Sequence, residues 1–333
     1  MKLFNKNLEK DILYIAEIGV NHEGRIDRCK KLIREAKVAG ADVVKFQCYT
    51  PENYVSKEED KFKRVKKFFF SELQFNEIIN YCKKIKIPFL FTALSHDWLN
   101  FIKKNTSVIK IASGDLNFDY FLKEVTKHNF KIILSTGASD YQEINRAIKI
   151  IKKKYKKKIQ KNLILMHCVS NYPVKNEDAN TMSVKFLKDK FNLQVGYSNH
   201  VIGIYACLTS ICLGARVIEF HFTDNKKRKF RDHQLSLNKT DVKKLIELGN
   251  LFNKLMGSYS KNILLNSKID KKNISKGIVS SHELTKDKKI MLNDLSFARP
   301  AKYFFANEIK KIIGKKLKKI IKGGFLIKKT DLY

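Results

Sequence analysis

VIEFHFTD, Val217 to Asp224, reads as a buried β-strand because Val, Ile and Phe dominate it, yet two-residue alternation places Glu219 and His221 on one face. A carboxylate and an imidazole on an apolar strand have two readings. An edge strand would turn them to water, whereas a strand of a closed parallel sheet would point them into a site. The rest of the chain separates the two. Seven further apolar runs precede this one: LYIAEIGV (13–20), ADVVKFQ (41–47), PFLFTAL (88–94), VIKIAS (108–113), KIILST (131–136), LILMHCV (163–169) and LQVGYS (193–198). Amphipathic stretches lie between them, such as IDRCKKLIREAKVAG, where Ile26, Cys29, Leu32, Ile33 and Ala36 form one stripe and Gly40 is placed to end a helix. Repeated strand-helix units imply parallel strands joined by right-handed crossovers. About eight of them within roughly 250 residues predict an α/β fold of the (β/α)8 TIM barrel type. A doubly wound open sheet is the alternative, but no GxGxxG turn follows the strand that begins at Leu13.

The 333 residues are enough for one barrel and a small appendage. After Met256 a polar connection, GSYSKNILLNSKIDKKNIS, leads to short segments, GIVSSHELTKDKKIMLNDLSFARP and NEIKKIIGKKLKKIIKGGFLIKKTDLY. A barrel over 1–267 and a second domain over 268–333 are therefore expected, with the boundary near Lys268. No apolar run approaches the ~18 residues of a membrane span, and the opening MKLFNKNLEKDILY has no secretory apolar stretch. A cytoplasmic protein without a membrane partner is expected. Cys29, Cys48, Cys82, Cys168, Cys207 and Cys212 form no CxxC pair and read as reduced, mostly buried thiols.

The net charge of +34 would suit nucleic acid. The lysines, however, are spread along the chain, densest in KKKYKKK at Lys152 to Lys158, and no nucleic-acid signature accompanies them. No dedicated nucleic-acid role is expected, although the field favours anionic substrates.

In a parallel barrel the carboxyl ends of the strands form the active site. Those ends carry Glu17, then Lys45 and Gln47, Thr92, Lys110 and Ser113, Ser135, Ser170 and Tyr172, Ser198 and His200, and finally Glu219 and His221. Any one of them could be a structural ion pair or a helix cap. Eight strands in succession ending this way imply a site, because buried charges cost several kcal/mol unless paired or liganded. Two lysines among hydroxyls imply an anion, with phosphate the natural candidate. His200 and His221 end neighbouring strands ~4.8 Å apart, so two imidazoles can reach one divalent ion of the Zn, Mn, Co or Fe type. Glu219 is placed to hold or deprotonate a water there. The plain alternative is two core histidines bonded to backbone. His167, set among LILM and CV, reads as structural, and His22 and His233, in loops at the predicted mouth, read as accessory groups.

AEIGVNHEG, VKFQ, IKIASGD, LSTG, HCVSNYP, YSNH, EFHFTD and, in the tail, ARP occur in the order and spacing of the sialic acid synthase family. These are the nonulosonic acid synthases, which condense phosphoenolpyruvate with an N-acylated hexosamine, and the chain resembles them from about Ile12 to its C-terminus. The resemblance implies a (β/α)8 barrel followed by an antifreeze-like (SAF) domain, in a domain-swapped homodimer whose small domain covers the partner's barrel mouth. It implies that His200 and His221 bind Mn2+ or a similar ion such as Mg2+ or Co2+, and that Glu219, Glu17, His200 and His221 carry the catalysis. Lys45, Thr92, Lys110, Ser113, Ser135, Ser170 and Ser198 would surround phosphoenolpyruvate. Glu17, Gln47, Tyr172 and Asp232 would contact the sugar, Asp115 stands where some relatives have Glu, and Arg299 would reach the acyl group from the partner chain.

The chain departs from the family pattern at Asn199, where an Asp is usual, at Phe220 in place of the Arg of ERH, at Phe230 and Arg231 before Asp232, and at Ala301 after Arg299 and Pro300. These positions cluster on the sugar side. An acceptor of the N-acetylmannosamine type is expected, with a 2,4-diacetamido-trideoxyhexose (legionaminic or pseudaminic acid synthesis) as the alternative. Another metal-dependent barrel aldolase or isomerase is a third reading.

Overall fold

All eight apolar runs form strands, and they close on themselves. The computed structural model describes residues 1–229, 231–258, 260–261 and 267–333. In it β1 (Leu13–Glu17), β2 (Val43–Cys48), β3 (Phe89–Ala93), β4 (Val108–Ile111), β5 (Lys131–Ser135), β6 (Leu163–His167), β7 (Gln194–Asn199) and β8 (Val217–His221) pair in parallel in chain order, and β8 returns to β1. The crossovers are α1 (Ile26–Ala39), α2 (Glu72–Lys84), α3 (Leu99–Asn105), α4 (Asp119–Lys127), α5 (Tyr141–Tyr155), α6 (Met182–Phe191), α7 (Tyr205–Cys212) and α8 (Lys239–Met256). This is the (β/α)8 barrel, and the open sheet is ruled out by the β8–β1 pairing, in which Val217 to His221 run beside Leu13 to Glu17.

The helices start and stop where local chemistry dictates. Ser71 with Gln74, Asp140 with Glu143 and Asn238 with Asp241 form reciprocal capping boxes at the starts of α2, α5 and α8. Gly40 ends α1 at φ 98°, a left-handed conformation that glycine adopts without steric cost. The buried stripe of α1 is Cys29, Leu32, Ile33 and Ala36, as its spacing predicts, with Arg28 also drawn inside.

Every residue of β1, β6 and β8 is buried, because one face meets the helices and the other fills the barrel. The filling is layered. Leu13, Ile15, Val43, Leu90, Val108, Ile133, Ile164, Met166 and Val217 form one apolar cluster, joined by Leu3 and Leu8 from the N-terminal hairpin of Lys2–Leu3 and Lys6–Asn7. Each such side chain contributes about 1.5–3 kcal/mol on burial. Gly196 is part of this packing, since a Cβ there would strike Met166 Sδ and the Val217 carbonyl and lie 2.9 Å from Val217 Cβ. One two-residue step further along the strands the interior changes character: Glu17 follows Ile15, Lys45 follows Val43, Thr92 follows Leu90, Lys110 follows Val108, Ser135 follows Ile133, Ser198 follows Gly196 and Glu219 follows Val217. All seven of these polar residues are buried.

Residues Met1–Gly257 and Ser258–Tyr333 are separate compact units. The expected boundary near Lys268 falls inside a helix, Ser267–Ile274, that occupies the second half of the connection read as loose. That helix belongs to the smaller unit, where the Lys272 carbonyl accepts from the Ala301 amide at 2.8 Å. Positions 262–266 of the connection lie outside the described residues. In the smaller unit β9 (Gly277–Ser280) pairs antiparallel with β10 (Leu295–Ala298). Ile278, Leu284, Ile290, Leu295, Phe304, Ile312 and Leu317 are among the side chains of its own core. All six cysteines are free, five of them buried. No helix among the described residues is long and apolar enough to cross a membrane.

Candidate active site

The polar layer opens into a cavity of about 630 Å³. Fourteen of the residues singled out above line it: Glu17, Lys45, Gln47, Thr92, Lys110, Ser113, Asp115, Ser135, Ser170, Tyr172, Ser198, His200, Glu219 and His221. Asp232 lies in an adjoining chamber of about 200 Å³ that shares Gln47, Tyr54, Tyr172 and His221 with the first. Asp232 Oδ2 is 3.7 Å from His221 Nδ1. Arg299 belongs to the smaller unit, where it is exposed just after β10. Phe230 lies outside the described residues.

Strand register explains the convergence. Glu17 is level with Lys45 across β1 and β2, Thr92 with Lys110 across β3 and β4, Ser198 with Glu219 across β7 and β8, and His221 with Glu17 where the barrel closes. Lys45 pairs with Glu17, donates to Thr92 Oγ1 at 2.7 Å and lies 3.5 Å from Glu219 Oε1. Lys110 donates to Ser135 Oγ at 2.5 Å and lies 3.8 Å from Glu219 Oε2. Ser198 donates to Glu219 Oε1 at 3.1 Å, and Gln47 donates to Glu17 Oε1 at 3.0 Å.

The two ammonium groups are therefore not a bare positive pair, as reading the lysines alone suggested, because two carboxylates face them. An entering anion would have to share the lysines with Glu17 and Glu219. Burial opposes the charge on Lys45, but Glu17 and Glu219 outweigh it and hold the ammonium above its ordinary range. Lys110 is pulled below that range by burial, with Glu219 opposing and Lys45 adding to the fall. Burial also works against Glu219, yet Lys110, Lys45 and His221 keep its carboxyl far below the usual value. Asp115, at the mouth, is raised by burial to about 7 against a weaker pull from Lys110.

His200 and His221 are in contact, their ring centroids 5.4 Å apart, and the Tyr172 ring packs tilted against His200 at 4.1 Å. Burial, reinforced by His221, drives the His200 imidazole down to about 3, so it is neutral at pH 7. Its Nδ1 sits 2.6 Å from the Val169 carbonyl, which can only accept; the proton is on Nδ1 and the Nε2 lone pair is free. The carbonyl thus orients His200, next to Asn199 where an Asp is usual in the pattern the chain resembles. Asn199 instead ties the following turn, donating to the Val201 carbonyl at 2.9 Å and the Gly203 carbonyl at 3.0 Å. Among the described residues, His221 Nδ1 and Glu219 Oε2 are buried without a hydrogen-bond partner. Such orphaned atoms cost about 1–3 kcal/mol each and point to a missing group. No three His, Cys, Asp or Glu side chains among the described residues form a ready metal cluster. The two imidazoles are the side chains able to hold a cation, with the remaining positions left to substrate or water oxygen.

Neither His22 nor His233 reaches the cavity, contrary to their reading as accessory groups. His22 stacks on Phe70 and accepts from the Gly24 amide at 3.0 Å, and His233 is wholly buried against Thr223 and Glu23. His167 is structural as expected, its Nε2 2.9 Å from the Ala179 carbonyl. Sequence reading missed Cys168, which lines the cavity with Sγ 3.1 Å from Ser113 Oγ. The signal was available, since Cys168 is the next inward position after Met166. Gly137 was also passed over: its amide donates to Ser113 Oγ at 3.1 Å, and a Cβ there would lie 2.7 Å from Ser170 Oγ and 2.9 Å from Cys168 Sγ.

Residues 32–261 match the NeuB family, which is more than half of the chain. The chain belongs to the NeuB family. Among curated relatives of this NeuB-family chain, an uncharacterised protein of Methanocaldococcus jannaschii is 38% identical over 91% of the chain and 89% of the relative. The N,N'-diacetyllegionaminic acid synthase of Campylobacter jejuni is 34% identical over 96% of the chain and 99% of the relative. The crystal structure of an N-acetylneuraminic acid (sialic acid) synthetase from Leptospira borgpetersenii, in complex with citrate, superposes with a TM-score of 0.74 at 30% identity. That superposition covers 78% of this chain and 90% of the synthetase.

Proposed function

We propose that this NeuB-family chain condenses phosphoenolpyruvate with the open-chain aldehyde of an N-acylated hexosamine of the N-acetylmannosamine type. The products are a nine-carbon sialic acid-type sugar and phosphate. The observation that supports it is that two lysines, two glutamates and two histidines, all buried, face one cavity. Lys45 and Lys110, with Thr92, Ser113, Ser135, Ser170 and Ser198, would bind the phosphate and carboxylate of phosphoenolpyruvate. His200 and His221 would hold a divalent cation, Mn2+ first, with Mg2+ or Co2+ as substitutes, and it would supply Lewis-acid polarisation of the aldehyde. Glu17, Gln47, Asp115, Tyr172 and Asp232 would orient the sugar so that its C1 meets C3 of phosphoenolpyruvate.

In this reading C3 attacks C1, the aldehyde oxygen takes a proton, and positive charge develops at C2. Water then adds to C2 and gives a proton to Glu219. The C2 hydroxyl then passes its proton to the departing phosphate as the bond from C2 to the phosphate oxygen breaks, leaving the keto acid and hydrogen phosphate, and the proton on Glu219 replaces the one taken up by the aldehyde oxygen. The pairing of Glu219 with the lysines supports a timing for such a base. While Lys45 and Lys110 face Glu219 its proton affinity is low; once they turn to the substrate phosphate, that affinity rises.

The smaller unit is read as the antifreeze-like domain, carrying Arg299 to the acyl group of the sugar in a partner's barrel within a domain-swapped homodimer. A cytoplasmic location accompanies this reading. A second reading changes only the acceptor, to a 2,4-diacetamido-trideoxyhexose. It is favoured by the end-to-end match to the legionaminic acid synthase and by the apolar wall of the adjoining chamber, made by Val20, Val65 and Phe68. The two acceptors differ by contacts worth about 1–3 kcal/mol, so competition separates them. Purified protein incubated with phosphoenolpyruvate, Mn2+ and a panel of both sugar types is assayed for released phosphate and product mass. Absence of phosphate release with every N-acylated sugar overturns the proposal.

A further inference from the structure

Glu23, Arg28, Thr223, Asp224 and His233 come from three separate segments: the β1–α1 connection and first turn of α1, the chain leaving β8, and the short helix Arg231–Leu235. Arg28, a buried residue of the first turn of α1, contacts Glu23 Oε1 at 3.0 Å, Asp224 Oδ1 at 3.3 Å and His233 Nε2 at 3.5 Å. His233 lies 2.7 Å from Thr223 Oγ1 through Nδ1 and 3.1 Å from Glu23 Oε1 through Nε2. Beside this cluster Asn21 donates to the Phe222 carbonyl and to Ser236 Oγ, both at 2.9 Å, and Ser236 Oγ donates to the Asp232 carbonyl. None of these groups lines the cavity, yet the segment they grip carries Asp232.

We propose that this buried ionic latch, centred on Arg28, fixes the segment bearing Asp232 beside His221, which makes Arg28 a positioning residue for the acceptor. The inference rests on the reading of Asp232 as an acceptor contact. A charge network of this kind suits the purpose because Arg28 holds Glu23 and Asp224 in one geometry and Glu23 in turn meets His233 of that segment, where apolar packing alone would allow it to slide.

The test compares wild type with Arg28→Met, Arg28→Lys and Thr223→Val, the last removing one bond of the latch without changing its shape and serving if Arg28→Met fails to fold. In Arg28→Met, amide exchange across 231–237 should accelerate about tenfold or more while 217–221 stays protected. The acceptor KM should rise about tenfold with the phosphoenolpyruvate KM within about twofold, and Arg28→Lys should recover part of both effects. Unchanged exchange across 231–237 overturns the latch. Loosening without a selective rise in acceptor KM overturns its role in positioning. If wild type turns over no sugar at all, the functional reading fails, and exchange alone judges the latch.

Discussion

Replacing Glu219 by Gln keeps the side chain's shape and removes one charge from the centre of the polar layer. Lys45 lies 3.5 Å from one carboxylate oxygen and Lys110 3.8 Å from the other. At the effective dielectric of about 20 suited to protein sites, each gross attraction is roughly 4–5 kcal/mol. Much of this is offset by the cost of holding the carboxylate away from water, leaving a net loss of about 2–4 kcal/mol in the variant. For a barrel of this size that corresponds to a fall in Tm of about 5–15 °C. The cavity then holds two ammonium groups against one carboxylate, and an added phosphate restores the balance. Phosphoenolpyruvate should therefore raise the Tm of Glu219→Gln by more than it raises that of wild type, while loss of the base lowers phosphate release by about 10²–10⁴-fold. The assays are thermal unfolding against phosphoenolpyruvate concentration and initial rates of phosphate release, both with Mn2+ present. Weaker phosphoenolpyruvate stabilisation than wild type, or a rate within tenfold of it, would refute the reasoning.

His221→Ala should lose Mn2+ binding in an electron paramagnetic resonance titration and lose metal-dependent turnover, with unfolding shifted by no more than about 1 kcal/mol; retained binding removes His221 from the cation site. In a domain-swapped dimer, mixing His221→Ala with Arg299→Ala chains and allowing exchange should restore about a quarter of wild-type activity, because one site of each mixed dimer is intact. No recovery would show that Arg299 does not act in trans. Burial lifts Asp115 to about 7 from 3.8, so folding favours its protonated form. The stability tied to that form is present at acid pH and is lost as pH rises through about 7. Asp115→Asn should flatten this decline in Tm between about pH 4 and 7, and parallel curves for the variant and wild type would contradict the burial argument.

How much of this was legible in the sequence follows from the range of each interaction. A strand's two faces are set by local geometry, so Val217 to His221 already disclosed that Glu219 and His221 point the same way, and the same rule applied to the other runs found Glu17, Lys45, Thr92, Lys110, Ser135 and Ser198. It missed Cys168 only because a cysteine was read as a thiol rather than as the next inward position. The residues proposed to meet the acceptor were less accessible. Asp232 and Arg299 sit on segments that no strand period describes, and they came from resemblance alone.

Alternation of apolar runs with amphipathic helices, the polar ends of the strands and the mouth they form are consequences of neighbouring residues, and the sequence by itself determined them. Contacts between distant segments were decided only in three dimensions. Closure of β8 on β1 sets Glu17 level with His221, the turn toward Val169 fixes the His200 tautomer, and packing gives each lysine a carboxylate. Arg28 meets Asp224 across most of the barrel's length of chain. Such pairings depend on which side chains share a buried space, and electrostatics in that space follows the distance between atoms, not the distance along the chain.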